Sequence, residues 1–194
     1  MIKKILGKPK IIGVIANVNE GKTNLLTYII ENIKKRANVC VFGLRFNIKE
    51  TTPFFSLEEL ENIKDSVIVI DEMSMLFDFE DRYKKALIEN TLRLINHHNN
   101  ILIVCGLPEN FKKFISAKLN AVLFKRVDFA DFINGSKAKR VCLEYSGMEK
   151  GSYTLSLEKE DVLFYDGKYK KYQIPYLKGF DTKLKNKPIA KDLE

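Results

Sequence analysis

The stretch ANVNEGKT, Ala16 to Thr23, decides how the rest of the chain is read. It follows the apolar run IIGVI (Ile11–Ile15) and precedes NLLTYIIENIKKR, whose apolar residues recur at helical spacing. The basic end of that segment suits a helix carboxyl terminus. A strand that ends, a short loop that turns back and a helix that starts near Lys22 aim several backbone N–H groups at one point. Such a concavity holds anionic oxygens, aided by the positive end of the helix. Gly21 lets the backbone approach closely. Lys22 is placed to reach the β- and γ-phosphates of a nucleotide, and Thr23 to offer its hydroxyl to Mg²⁺. Ala16 stands where glycine is commoner, and its side chain is small enough for the strand exit. Ordinary residue usage yields such a match in about one chain in a hundred, and the flanking strand and helix make it rarer still. The predicted nucleotide contacts are therefore Asn17, Val18, Asn19, Glu20, Gly21, Lys22, Thr23 and Asn24.

Downstream, VIVIDEM delivers Asp71 and Glu72 together at the end of an apolar strand, where open α/β sheets place their ligands. Asp71 suits a metal role beside Thr23, holding Mg²⁺ through its water shell. Glu72 suits a different one: a carboxylate near a γ-phosphate orients and polarises an attacking water. The pair thus favours hydrolysis over simple binding, with Glu72 and Lys22 as catalytic residues. The alternative is that Asp-Glu merely caps the turn that follows.

The remaining segments fall in with this. KIIGVIA (10–16), NVCVFGL (38–44), SVIVIDE (66–72), NILIVCGL (100–107) and AVLFKRV (121–127) read as buried strands. Between them, TTPFFSLEELENIKD holds a short helix capped by Ser56, and EDRYKKALIENTLRLINHH is amphipathic. PENFKKFISAKL opens with a proline suited to a helix first turn. Continuous apolar strands separated by helices predict an α/β fold: a mainly parallel sheet with helices on both faces. Near Asn134-Gly135 the pattern changes to short alternating segments, KRVCLEY, SYTLSLE, DVLFYDG and KYKKYQI, which predict a C-terminal antiparallel β-hairpin region. The Asp-Gly in YDGKY is a hairpin turn signal. The expected division is a core over 1–134, a hairpin extension over 135–177 and a basic tail over 178–194.

The whole chain has 194 residues, enough for one sizeable core. No apolar run reaches the roughly 20 residues that a bilayer span takes. The basic start, MIKKILGKPK, is not followed by a long apolar segment and a small-residue cleavage site, so no signal peptide is read. Cys40, Cys105 and Cys142 are far apart and set in apolar runs, as reduced buried thiols of a cytoplasmic protein are. His97 and His98 have no ligand at metal spacing. A net charge of +8 suits an anionic partner or a solvated basic surface equally. Lys168, Lys170 and Lys171, interleaved with Tyr169 and Tyr172, and Lys183, Lys185 and Lys187 beyond them, are the candidate DNA contacts. A hairpin edge protected by lysines reads the same way.

The glycine-lysine-threonine loop and an acid pair on the third apolar strand rather than the second resemble the additional-strand division of P-loop ATPases, over about Ile11 to Val127. A β-rich C-terminal part, instead of a helical lid, is similar to the small FtsK/HerA-type ATPases of viruses and mobile elements. The absence of an arginine-rich kinase lid and of a GTPase base reader agrees; NKPI (186–189) has only two letters of the latter. The resemblance implies ATP and Mg²⁺ as cofactors, double-stranded DNA as partner, and a homo-oligomeric ring of five or six subunits in the host cytoplasm. It also implies docking to a viral portal or capsid component and no membrane. It implies an arginine given to the neighbouring subunit's γ-phosphate, with Arg93 first and Arg82 and Arg126 behind it. In that group the fourth strand often ends in a γ-phosphate-sensing glutamine. Here it ends CGLPEN, leaving Glu109 or Asn110 for the role. The alternative function is a nucleotide-switched assembly or secretion factor with slow ATPase and no DNA motor activity.

Overall fold

The computed structural model describes residues 1–8, 10–44, 46–77, 81–111, 115, 117–126 and 157–175. Strand β1 (Lys10–Ile15) leads through the Ala16–Gly21 loop into helix α2 (Lys22–Ile33), after a short opening helix α1 (Ile2–Ile5). Strand β2 (Asn38–Phe42), the two-residue strand β3 (Thr52–Pro53) and helix α3 (Leu57–Leu60) follow. Next come β4 (Ser66–Ile70), α4 (Met73–Leu76), α5 (Arg82–His97) and β5 (Ile101–Gly106). A 3₁₀ turn (Pro108–Asn110) precedes β6 (Ala121–Phe124), and β7 (Asp161–Tyr165) and β8 (Tyr169–Gln173) form a hairpin.

The described strands make one sheet of eight, in the order β3-β2-β4-β5-β1-β6-β7-β8. Strands β1 to β6 pair in parallel, and β7 joins β6 antiparallel, with Leu123 opposite Phe164. Strand β5 lies between the loop strand β1 and the acid strand β4, as the resemblance to the additional-strand division implies. Successive residues of each parallel strand face opposite sides. Ile11, Ile15, Ile68, Ile70, Leu102 and Val104 pack with Ile88, Leu92 and Ile95 of α5. Ile12, Val14, Val67, Val69, Ile103 and Cys105 pack on Leu25, Leu26, Ile29 and Ile30 of α2. Helices therefore cover both faces. Each such side chain, wholly removed from water, contributes about 1.5–3 kcal/mol.

The predicted cap at Ser56 is present: its hydroxyl accepts from Glu59 N at 3.3 Å. Asp81 caps α5 by accepting from the Tyr83 and Lys84 amides. Three readings differ. Strand β3 is missed because two residues with a proline carry no strand pattern; it is an edge strand, where proline is tolerated. Strands β2 and β4 stop two residues early, at Phe42 and Ile70, where the chain turns toward the site, and β6 stops at Phe124. The helix expected over 108–119 opens as a 3₁₀ turn at Pro108–Asn110; of its other described residues, Ile115 is helical and 117–118 form a turn. KRVCLEY with Cys142, most of SYTLSLE, and the tail with Lys183, Lys185 and Lys187 lie outside the described residues. Among those described, no helix is long and apolar enough to cross a membrane.

Candidate nucleotide site

Three segments meet at the carboxyl ends of β1, β4 and β5. The first is the loop from Ala16 to Gly21. Asn19 (φ 62°) and Gly21 (φ 80°) both take the left-handed conformation, which asparagine tolerates and glycine adopts freely. Gly21 is the N-cap residue of α2, so the helix starts at Lys22, where the sequence places it. The base of the loop is braced by Asn17 N donating to Arg126 O at 3.2 Å. Lys22 folds back, its ammonium donating to Asn17 O at 2.8 Å and Ala16 O at 3.2 Å. Val18 is largely exposed on the loop, while Asn17 and Asn24 are buried. The Asn24 amide donates to Pro175 O at 3.3 Å, beyond the end of the hairpin.

The second segment is Asp71-Glu72. The Thr23 hydroxyl donates to the Asp71 carboxylate, at 3.2 Å to Oδ2 and 3.4 Å to Oδ1. Two residues 48 positions apart thus meet beside the helix start. A hydroxyl and a carboxylate are hard oxygen donors, the set that Mg²⁺ takes in phosphate sites. The residues present therefore fit the ion, and Thr23 and Asp71 are the ones that would hold it. Cys105 lies below them; burial, with Asp71 next in weight, pushes its thiol well above the ordinary range, so it stays protonated and inert.

Glu72 takes the capping role that the sequence leaves open. It is the N-cap of α4: Oε1 accepts from the Ser74 hydroxyl at 2.8 Å and the Ser74 amide at 3.4 Å. The same oxygen accepts from Asn110 Nδ2 at 3.2 Å, and no described residue donates to Oε2. This third segment distinguishes the two sensor candidates, since Glu109 is exposed and Asn110 reaches the acid. Gly106 makes the approach possible: a Cβ there would stand 2.9 Å from Met73 Cγ and 3.4 Å from Asn110 Cβ. Sequence reading missed this contact, because only the fold brings Asn110 beside Glu72.

Arg93 lies exposed on α5, with no hydrogen bond or ion pair among the described residues. Arg126 is exposed and Arg82 opens α5. Lys168 and Lys170 are exposed in and after the β7–β8 turn, and the Lys170 ammonium sits 5.3 Å from the Tyr172 ring centroid. Lys171 differs: its ammonium is 2.7 Å from Oδ2 of the buried Asp161. Burial would raise the Asp161 carboxyl, but Lys171 and the Glu158 amide outweigh it and hold the group below the usual range.

A left-handed glycine before the helix lysine, a threonine against a strand-end aspartate, and one strand between the two motifs define a P-loop NTPase fold of the additional-strand kind. Similar solved structures bear the fold out. The DNA-packaging ATPase B204 of Sulfolobus turreted icosahedral virus superposes with a TM-score of 0.65 at 16% identity, over 88% of this chain and 100% of that one. The genome packaging NTPase B204 of Sulfolobus turreted icosahedral virus 2, in complex with ATPγS, gives 0.62 at 16%, over 87% and 98%. The pCW3 conjugation coupling protein TcpA with ATPγS gives 0.60 at 18%, over 86% of this chain and 60% of that one. No protein-family model matches the chain, and no curated protein matches its sequence.

Proposed function

We propose that the chain is an Mg²⁺-dependent ATPase that couples hydrolysis to movement of double-stranded DNA, in packaging a viral or mobile-element genome. The observation that carries the reading is the meeting of Thr23 with Asp71 beside the Gly21 turn, with Glu72 and Asn110 on the same edge of the sheet. The packaging ATPase and the coupling protein among the similar structures support it. The loop amides and Lys22 bind the phosphate oxygens, Lys22 exchanging the Ala16 and Asn17 carbonyls for the β- and γ-phosphates. Bound beside Thr23 and Asp71, Mg²⁺ supplies positive charge against the phosphates. Glu72 Oε2 accepts the proton of the attacking water, while Ser74 and Asn110 hold Oε1 and so aim the carboxylate. Water oxygen bonds to the γ-phosphorus as the bond to the β–γ bridging oxygen breaks. Arg93 serves the neighbouring subunit of a homo-oligomeric ring in the cytoplasm.

Lys168 and Lys170 lie at the other end of the sheet, beside α1. There Lys4 pairs with Asp166 at 2.8 Å, and Lys10 donates to Lys4 O. This basic edge suits sequence-neutral contact with a phosphate backbone. A second reading, a nucleotide-switched assembly or secretion factor, is favoured by the cap bonds that tie up Glu72 Oε1. ATPase assays with and without duplex DNA separate the two. DNA-stimulated turnover that Lys22→Ala abolishes is the expected result; slow turnover indifferent to DNA would replace the motor reading with the switch.

A further inference from the structure

Lys125 directly follows β6 and is wholly buried, at 0% exposure, an uncommon place for a lysine. Its amide donates to Ile15 O at the end of β1, at 3.0 Å. Its ammonium donates to Asp161 O at 2.9 Å and to Lys159 O. The same side chain runs beside the phosphate loop: a Cβ on Gly21 would lie 3.4 Å from Lys125 Cε, 3.7 Å from its Nζ and 3.7 Å from Lys159 O. One buried cation therefore lies beside the pivot of the loop and bonds to the turn that opens β7.

That turn is closed by its own hydrogen bonds. Asp161 N donates to Glu158 O, and the Asp161 carboxylate accepts from Glu158 N, each at 3.0 Å. Ile174 N donates to Glu160 O at 2.9 Å, tying the turn to the end of β8. Burying an ammonium has a desolvation cost that only close partners offset. A methionine would fill a similar volume without it. What the cation adds is fixed donors and positive potential next to a loop that gathers phosphates.

We propose that Lys125 is a positioning residue for the triphosphate site: it locks Gly21 to the 158–161 turn, so that the loop keeps its anion-gathering shape and nucleotide binding is transmitted to the β7–β8 hairpin. The proposal rests on the nucleotide reading above. The charged groups around the ammonium are Glu20 on the loop and Glu160 and Asp161 on the turn, with Lys171 of β8 paired to Asp161. Burial draws the ammonium down to about 8, against the pull of Asp161, Glu160 and Glu20. It is charged below that pH and neutral above it, so its support of the loop fades as pH rises through 8.

The test titrates the full chain with a fluorescent ATP analogue, as wild type and as Lys125→Met. The variant should bind at least tenfold more weakly. Wild-type affinity should fall between about pH 7 and pH 9, and the variant's should stay flat over that range. In wild type, ATPγS should slow amide hydrogen exchange at 157–162 as well as in the loop. A folded Lys125→Met with wild-type affinity and pH profile overturns the proposal, and so does exchange protection confined to the loop. If the variant does not fold, the exchange measurement on wild type decides. Wild type that binds no ATP analogue removes the nucleotide reading and this proposal together; wild type that binds while Lys125→Met equals it removes this proposal alone.

Discussion

The carboxyl edge of the sheet and the β7–β8 hairpin use similar polar residues under different rules. At the edge, what matters is where a strand stops. Asp71 and Glu72 are carried to their places by β4, and Lys22 by the turn at Gly21. In the hairpin, what matters is which partner the fold supplies. Lys170 and Lys171 are neighbours in sequence, yet one lies open over a tyrosine ring and the other closes on a buried aspartate. A role held by backbone geometry is written in a few consecutive residues. A role held by a side-chain charge is written across the whole chain.

The sharpest way to break this contrast is Glu72→Gln. If strand-end placement decides chemistry, the change leaves ATP binding intact and lowers turnover about 10²- to 10⁴-fold, the usual contribution of a positioned general base. Nucleotide titration and steady-state ATPase measurements on one preparation check it. Turnover at the wild-type rate would reduce Glu72 to a cap for α4, a role its bonds to Ser74 already fill.

Asn110→Ala tests the one edge contact that local reading missed. It removes the amide that reaches Glu72 Oε1 at 3.2 Å. A hydrogen bond to a charged group is worth about 1.5–3 kcal/mol, so kcat should fall about ten- to a hundredfold. KM should hardly change, because Asn110 is not among the loop donors. A raised KM with unchanged kcat would place Asn110 on the substrate instead.

These cases also mark how far the sequence is legible. The loop, the acid pair and the five apolar strands follow from consecutive residues, because strand period and turn chemistry are local; the strand between the two motifs comes only with the family resemblance. The second face of the site does not. Asn110 meets Glu72 only because Gly106 lets Met73 pack close, and Lys125 meets Gly21 only because β6 lies against β1. Nothing in CGLPEN or LFKRV announces either contact. Lys125 in particular looks like any lysine at a strand end until its burial is known.

The smallest effect separates the hairpin lysines. Lys171→Met strips the buried Asp161 of its cation, although the Glu158 amide still donates to the carboxylate at 3.0 Å. The Lys171 side chain is 55% exposed, so the pair is worth only about 1 kcal/mol, read as a lower denaturant midpoint at unchanged slope. Lys168→Ala with Lys170→Ala leaves that midpoint alone, since neither ammonium pairs with a buried acid. On duplex DNA the order reverses. The double change should flatten the dependence of log affinity on log salt by about 0.9 for each lysine that meets a phosphate. Lys171→Met should leave the slope as it was, because its charge is already matched within the fold. Equal slopes for both variants would mean that the hairpin lysines share one solvated surface and that partner choice inside the fold does not sort them.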